Sequence, residues 1–201
     1  MTDQPQLYLV TPADDAGLIE RVVPILDARP VACLRLELAT RDEDRLMRAA
    51  DALRAEAHAR DVPLVVADHA GLVPRLGLDG VHLTDPRGLA RLRRDWGEEP
   101  IVGAACGASR HDGLVAGEAG ADYVAFGPAG QTILGQAERA EAQLFAWWSE
   151  MIELPVVAEG ALDAGLVEAL APVVDFFAVG PEIWEADAPG AALDRLLAPL
   201  S

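Results

Sequence analysis

Gly120-Ala121-Asp122-Tyr123-Val124-Ala125-Phe126-Gly127-Pro128 is the stretch whose reading decides the fold. A glycine turn leads to an acidic residue, a short and nearly all-apolar run follows, and Gly-Pro ends it. Tyr123, Val124 and Phe126 suit a pleated, packed environment, while Gly127-Pro128 stops the strand and opens a loop. Similar phrases stand on both sides. Leu78-Asp79-Gly80-Val81-His82-Leu83-Thr84 comes earlier, and Val173-Val174-Asp175-Phe176-Phe177-Ala178-Val179-Gly180-Pro181 comes later. A chain that repeats strand, exit loop and helix in this way predicts a barrel of parallel strands whose exit loops hold the functional site.

Five more strands are read at 6–12, 31–37, 63–69, 100–105 and 155–160, and with the three phrases above they complete eight strand-plus-helix units. Helices are expected over 14–28, from a cap at Thr40 to about 60, and over 138–152, with further helices opened by Ser109 and Asp163. The fold class is therefore α/β, a single (β/α)8 barrel in one domain spanning residues 1–201. Such barrels usually take about 250 residues, so the loops must be brief. An open doubly wound sheet fits less well, because no glycine-rich loop follows the first strand and no Walker-type lysine exists.

The composition narrows the chemistry. Thirty-three acidic residues against 16 basic ones give a formal charge of −17, which argues against nonspecific nucleic-acid binding. Every basic residue is an arginine. Without lysine there is no Schiff base and no ammonium point charge for a phosphate. Cys33 and Cys106 lie far apart in sequence and read as free thiols of a reducing compartment. The N-terminus does not have the pattern of a signal peptide, and no apolar segment reaches the length of a membrane span. A cytoplasmic protein acting on a small molecule is the expectation. Trp147, Trp148 and Trp184 allow a homodimer interface or burial within the monomer.

Strand exits converge in a barrel, and here they offer a defined set of side chains. Arg35 and Glu37 share a face of the second strand, where an inward arginine must meet an anion, either a ligand or Glu37. His82 stands in an otherwise apolar strand; it acts in catalysis or points inward to pair with Glu37 or Arg35. Asp68 and Asp85 either hold a hard divalent cation or cap the helices that follow them. Gly160 and Gly180-Pro181 have the positions of a barrel phosphate site after strands seven and eight, flanked by Glu159 and Glu182.

These residues bring a family into view. The chain resembles the thiamine phosphate synthases, and their regulator-like relatives of the same barrel, nearly end to end. Leu7-Tyr8-Leu9-Val10-Thr11, Asp79-Gly80-Val81-His82-Leu83 and the stretch from Gly120 to Pro128 match the family's first, fourth and sixth strands in order. The resemblance implies an enzyme that joins a hydroxymethylpyrimidine pyrophosphate to a thiazole phosphate. It further implies Mg²⁺, release of pyrophosphate, and a pyrimidine carbocation-like species.

Residue by residue, the family's Gln-x-Arg-x-Lys pattern appears as Cys33-Leu34-Arg35-Leu36-Glu37, keeping the arginine and replacing the lysine by a carboxylate. Its Asn-Asp appears as Ala67-Asp68, with Asp68 in the metal position. Its second metal aspartate is matched by Arg87, with Asp85 nearby. Its Thr-x-Thr-Lys loop becomes Ala129-Gly130-Gln131-Thr132, without the lysine. The site expected from sequence is thus Arg35, Glu37 and His82 for chemistry, Gly160, Gly180, Gln131 and Thr132 for the phosphate-bearing ligand, and Asp68 and Asp85 for metal. Besides the synthase reaction, two readings stay open. One is a family member that binds a small ligand as a regulator, and the other is a different chemistry on an uncharged substrate.

Overall fold

The computed structural model describes residues 4–131 and 138–200. Its strands are β1 (Gln6–Val10), β2 (Cys33–Leu36), β3 (Leu64–Ala67), β4 (Gly80–Leu83), β5 (Ile101–Ala105), β6 (Tyr123–Phe126), β7 (Val156–Glu159) and β8 (Phe176–Val179). They pair in parallel in chain order, and β8 closes on β1 with Leu7 opposite Phe177. Around them lie α1 (Leu18–Ala28), α2 (Glu43–His58), α3 (Leu72–Leu76), α4 (Leu89–Trp96), α5 (Arg110–Glu118), α6 (Ala142–Met151), α7 (Ala164–Leu170), α8 (Pro181–Trp184) and α9 (Pro189–Leu196). The expected (β/α)8 barrel is the observed one.

Strand alternation sorts the side chains into two apolar layers. Leu7, Leu9, Leu34, Leu64, Val124 and Phe126 face outward into the shell packed under the helices. Tyr8, Val10, Cys33, Val65, Tyr123 and Val157 fill the barrel itself. The helices dock through the stripes their sequences carry. In α2, Leu46, Ala50, Leu53 and Ala57 are buried. Trp148 is buried against Phe126 and donates its indole N–H to the Leu154 carbonyl at 2.8 Å. Trp147 lies beneath the Arg110 guanidinium, 4.0 Å from its ring centre.

The acidic residue before three of the strands has a common task. Asp79, Asp122 and Asp175 each donate a backbone N–H to the carbonyl of the neighbouring strand, at Leu64, Val102 and Val156. Each then accepts the N–H of that same residue on its carboxylate, at 2.7, 2.7 and 2.8 Å. These two-point clamps fix strand register at the end of the barrel opposite the exits. Asp175→Ala leaves the Val156 N–H unpaired, which costs about 1–3 kcal/mol. A melting temperature lower by several degrees is expected, at about 2–4 °C per kcal/mol for a chain this size; an unchanged melt contradicts the clamp.

Two helix starts differ from the sequence reading. Asp14 accepts the Ala16 N–H at 3.1 Å and forms a turn, so α1 begins later, at Leu18 after Gly17 (φ 60°). Thr40 accepts the Asp42 N–H at 3.1 Å, and Asp42 is the residue that caps α2, through the Arg45 N–H. In both places a short polar side chain bonds locally and delays the helix. Ser109 and Asp163 cap α5 and α7 as expected.

Candidate ligand-binding cup

A cavity of about 730 Å³ opens at the carboxyl ends of the strands, with Thr11, Arg35, Glu37, Glu159, Gly180 and Glu182 in its wall. Arg35 is its centre. Strand alternation turns it into the barrel, where it is only 8% exposed. Its Nη1 donates to Glu159 Oε2 at 2.9 Å, and its Nε lies 3.0 Å from Glu37 Oε2. The second contact is not aligned as a hydrogen bond, so the buried Nε–H has no hydrogen-bond partner among the described residues. The Tyr8 ring lies below, 5.7 Å from the guanidinium carbon. Burial works against the charge, yet the Glu159 carboxylate, with Glu37 behind it, holds it on and raises the Arg35 pKa above its ordinary value. The two carboxylates differ: the Glu37 side chain is 46% exposed and the Glu159 side chain 20%. Thr11 anchors the Glu37 backbone by accepting its N–H at 3.1 Å.

His82 lies beneath the cup and is 1% exposed. It does not pair with Arg35 or Glu37. Its Nδ1 is 3.0 Å from the Tyr123 hydroxyl, which is 2.7 Å from the Tyr8 hydroxyl. The register explains the partner: His82, Gly103 and Tyr123 stand opposite one another on β4, β5 and β6. A Cβ at position 103 would fall on the Tyr123 ring, so the glycine is what lets that ring reach across.

Burial first, and the Arg35 charge second, hold the His82 pKa well below its usual value, while burial pushes the hydroxyls of Tyr8 and Tyr123 up. Cys33, in the same layer, is pushed up to about 12 by burial. The fold therefore carries His82 neutral, whereas the unfolded chain protonates it below about pH 6.5. The unfolded state then binds the extra proton. Stability from this group is fully present above that pH and falls as pH drops, by up to about 1.4 kcal/mol per pH unit. In denaturant titrations from pH 7.5 to 5.5, the stability advantage of the native chain over His82→Gln is expected to shrink. A constant difference contradicts a neutral imidazole.

At the exits of β7 and β8 the backbone is already engaged. Gly160 (φ 82°) gives its carbonyl to the N–H groups of Ala129 and Gly130, at 3.1 and 3.0 Å, which ties the loop after β6 to the cup. Gly180 donates its N–H to Glu182 Oε2 at 3.0 Å, and Glu182 Oε1 accepts the Leu162 N–H at 3.2 Å. The turn carrying Glu182 is held by Trp184, whose indole N–H donates to the Val10 carbonyl at 2.7 Å. Gln131 is exposed and outside the cavity wall. Thr132 lies outside the described residues.

The metal candidates are both engaged by neighbouring groups. Asp68, at φ 57°, accepts the Thr84 N–H at 2.8 Å on one carboxylate oxygen and the Thr84 hydroxyl at 2.6 Å on the other. Asp85 caps the turn at Pro86–Gly88 and is paired with the Arg87 side chain, which holds its carboxyl down at about 2. Among the described residues, no three His, Cys, Asp or Glu side chains are grouped as an all-protein metal site would require. Mg²⁺ usually takes one or two carboxylates together with waters and substrate phosphates, which asks for no such protein cluster. His69 is exposed beside α3, on a separate depression with Glu43 and Arg75.

Tyr8, Tyr123, Thr11 and Trp184 shape the cup and were not singled out for that role by sequence. Inward register with Arg35 and His82 is the signal that points to the two tyrosines.

Fold and cup together define a (β/α)8 barrel of the kind that handles a small molecule at the carboxyl ends of its strands. A profile of the family described as thiamine monophosphate synthase matches residues 7–183. The "Thiamine-phosphate synthase" of Rhodospirillum centenum is 38% identical over 197 residues, 96% of this chain and 95% of its own. That of Erythrobacter litoralis is 38% identical over 193 residues, 90% of this chain and 89% of its own. The solved thiamine phosphate pyrophosphorylase from Pyrococcus furiosus superposes with a TM-score of 0.85 over 97% of this chain and 95% of its own. At 21% identity it bears on the fold alone. The chain belongs to the thiamine monophosphate synthase family.

Proposed function

We propose that this chain works in thiamine biosynthesis and couples a hydroxymethylpyrimidine pyrophosphate to a thiazole phosphate. The observation that carries this reading is Arg35, a buried guanidinium at the floor of the cup with an unfilled Nε–H. A hydrogen bond from a charged donor contributes about 1.5–3 kcal/mol. The pyrophosphate takes that donor as the more exposed Glu37 carboxylate swings into solvent. The methylene C–O bond breaks with its electron pair leaving on pyrophosphate, and the thiazole ring nitrogen forms the new C–N bond. No proton is transferred. Positive charge passes from the methylene to the thiazolium nitrogen, and the Glu159 carboxylate beside Arg35 counters it where it develops. Mg²⁺ bound with the pyrophosphate would be held by Asp68 and Asp85 and would supply positive charge to the leaving group. A reducing, cytoplasmic setting belongs to the same proposal, supported by the free, buried Cys33 and Cys106.

Incubating the purified chain with both substrates and resolving the products by chromatography tests the reading. Formation of the coupled thiazolium is expected, and none above the uncatalysed level overturns it. A second reading is favoured by the two carboxylates already seated on Arg35: a family member that binds a thiamine-related ligand without turnover. Saturable binding of the pyrimidine pyrophosphate with no coupled product is its signature.

A further inference from the structure

Thr84 takes hold of the Asp68 carboxylate at two points. Its backbone N–H donates to Oδ1 at 2.8 Å and its hydroxyl to Oδ2 at 2.6 Å. We propose that Thr84 is a positioning residue for the metal of the coupling reaction: it orients the Asp68 carboxylate that Mg²⁺ meets when it binds with the pyrophosphate. The inference rests on the coupling reading for the presence of the metal and goes beyond it in the role given to Thr84.

The backbone of Asp68 is the first support. At φ 57° it lies in the left-handed region, which a residue with a Cβ seldom enters. His69 closes the turn by donating its N–H to the Ala67 carbonyl at 2.7 Å, and Asp68 donates its own to the His82 carbonyl at 3.0 Å. From that backbone the carboxylate reaches across to β4, where Thr84 stands two positions beyond His82, the residue opposite Ala67. Strained conformations of this kind collect where a side chain has a task.

The carboxylate also keeps its capacity for a cation. It has about four lone-pair sites, and Thr84 takes one on each oxygen. Asp68 is exposed at the strand exit. Among the described residues, the ion pair at these exits joins Arg87 to Asp85 and does not involve Asp68. Of the two carboxylates, Asp68 is therefore the one a cation reaches without displacing a guanidinium. Partners that hold a ligating group in this way fix its orientation, and losing one typically costs about 10–100-fold in metal affinity.

Calorimetric titration of the full chain with pyrophosphate, with and without Mg²⁺, tests the role apart from turnover. The native chain is expected to bind pyrophosphate more tightly with the metal. Thr84→Val keeps the N–H and the branched shape but loses the hydroxyl. It is expected to bind at least about tenfold more weakly than the native chain when Mg²⁺ is present. Without metal its affinity is expected within about threefold of native. Thr84→Ser, which restores the donor, is expected to recover most of the Mg²⁺-dependent affinity. A native chain that gains nothing from Mg²⁺ overturns the inference. So does a Thr84→Val variant that keeps the full gain, even with a lower melting temperature, because a mere staple between strand exits affects stability and not the metal. Equal losses in Thr84→Val and Thr84→Ser overturn it as well, since the hydroxyl is then not the cause. The expected ranking with no coupled thiazolium from the native chain leaves Thr84 in its role and removes the coupling reading alone.

Discussion

Arg35→Ala is expected to weaken binding of pyrophosphate and of the pyrimidine pyrophosphate by about 30-fold to several-thousand-fold, the equivalent of about 2–5 kcal/mol for truncating one partner of a buried charge pair. The reasoning is local. Arg35 faces the cup from the floor, its Nε–H is unfilled, and the remaining guanidinium in the wall, Arg21, is committed to Asp14. Removing it leaves Glu37 and Glu159 facing one another across an acidic cup. Their exposure to cavity water limits the damage to folding, so the loss is expected in binding more than in melting temperature. Arg35→Lys separates charge from shape. A lysine keeps the point charge without the planar fork, and is expected to recover only part of the affinity. Pyrophosphate titration reads both variants, and affinity within about threefold of the native chain in Arg35→Ala contradicts the assignment.

Gly103→Ala is expected to be strongly destabilising. The new Cβ would fall on Cζ of Tyr123, which cannot retreat because its hydroxyl lies between the Tyr8 hydroxyl and Nδ1 of His82. Overpacking costs about 1–3 kcal/mol, and leaving a buried polar group without its partner adds about 1–3 more. A large part of the marginal stability of a domain, about 5–15 kcal/mol, is then lost. Urea unfolding reads the effect. Pairing Gly103→Ala with Tyr123→Leu removes the clash, and the double variant is expected to be more stable than Gly103→Ala alone. If Gly103→Ala unfolds at the native midpoint, the close packing of ring and glycine is wrong.

The barrel was legible in the sequence because its strands repeat a short pattern with local punctuation. The Asp122 and Asp175 phrases and the Gly-Pro exits mark strands without reference to anything distant. The site was legible only in its residue types. Arg35 was recognisable as an inward charge in need of an anion, but its hydrogen-bonded partner Glu159 is 124 residues away, and nothing local names it. Glu37, the neighbour that sequence favours, is close but misaligned. His82 was expected beside Arg35 or Glu37, and its partner is Tyr123, because a missing side chain at Gly103 opens the path between them. A gap is harder to read than a side chain. Asp85 did what its position before Pro86 suggests, capping a turn. Asp68 instead reaches back from a left-handed backbone to Thr84, sixteen residues on, a choice set by the adjacency of β3 and β4. Glu182 was visible as an acid beside a phosphate-type glycine. That its carboxylate accepts the N–H groups of both Leu162 and Gly180 depends on where the exits of β7 and β8 meet in space.

The most direct test of the proposed coupling is pyrophosphate release by the full chain given hydroxymethylpyrimidine pyrophosphate, with thiazole phosphate added. Release that depends on the thiazole phosphate, equals the thiazolium formed and disappears in Arg35→Ala is the expected result. Release at the uncatalysed rate contradicts it.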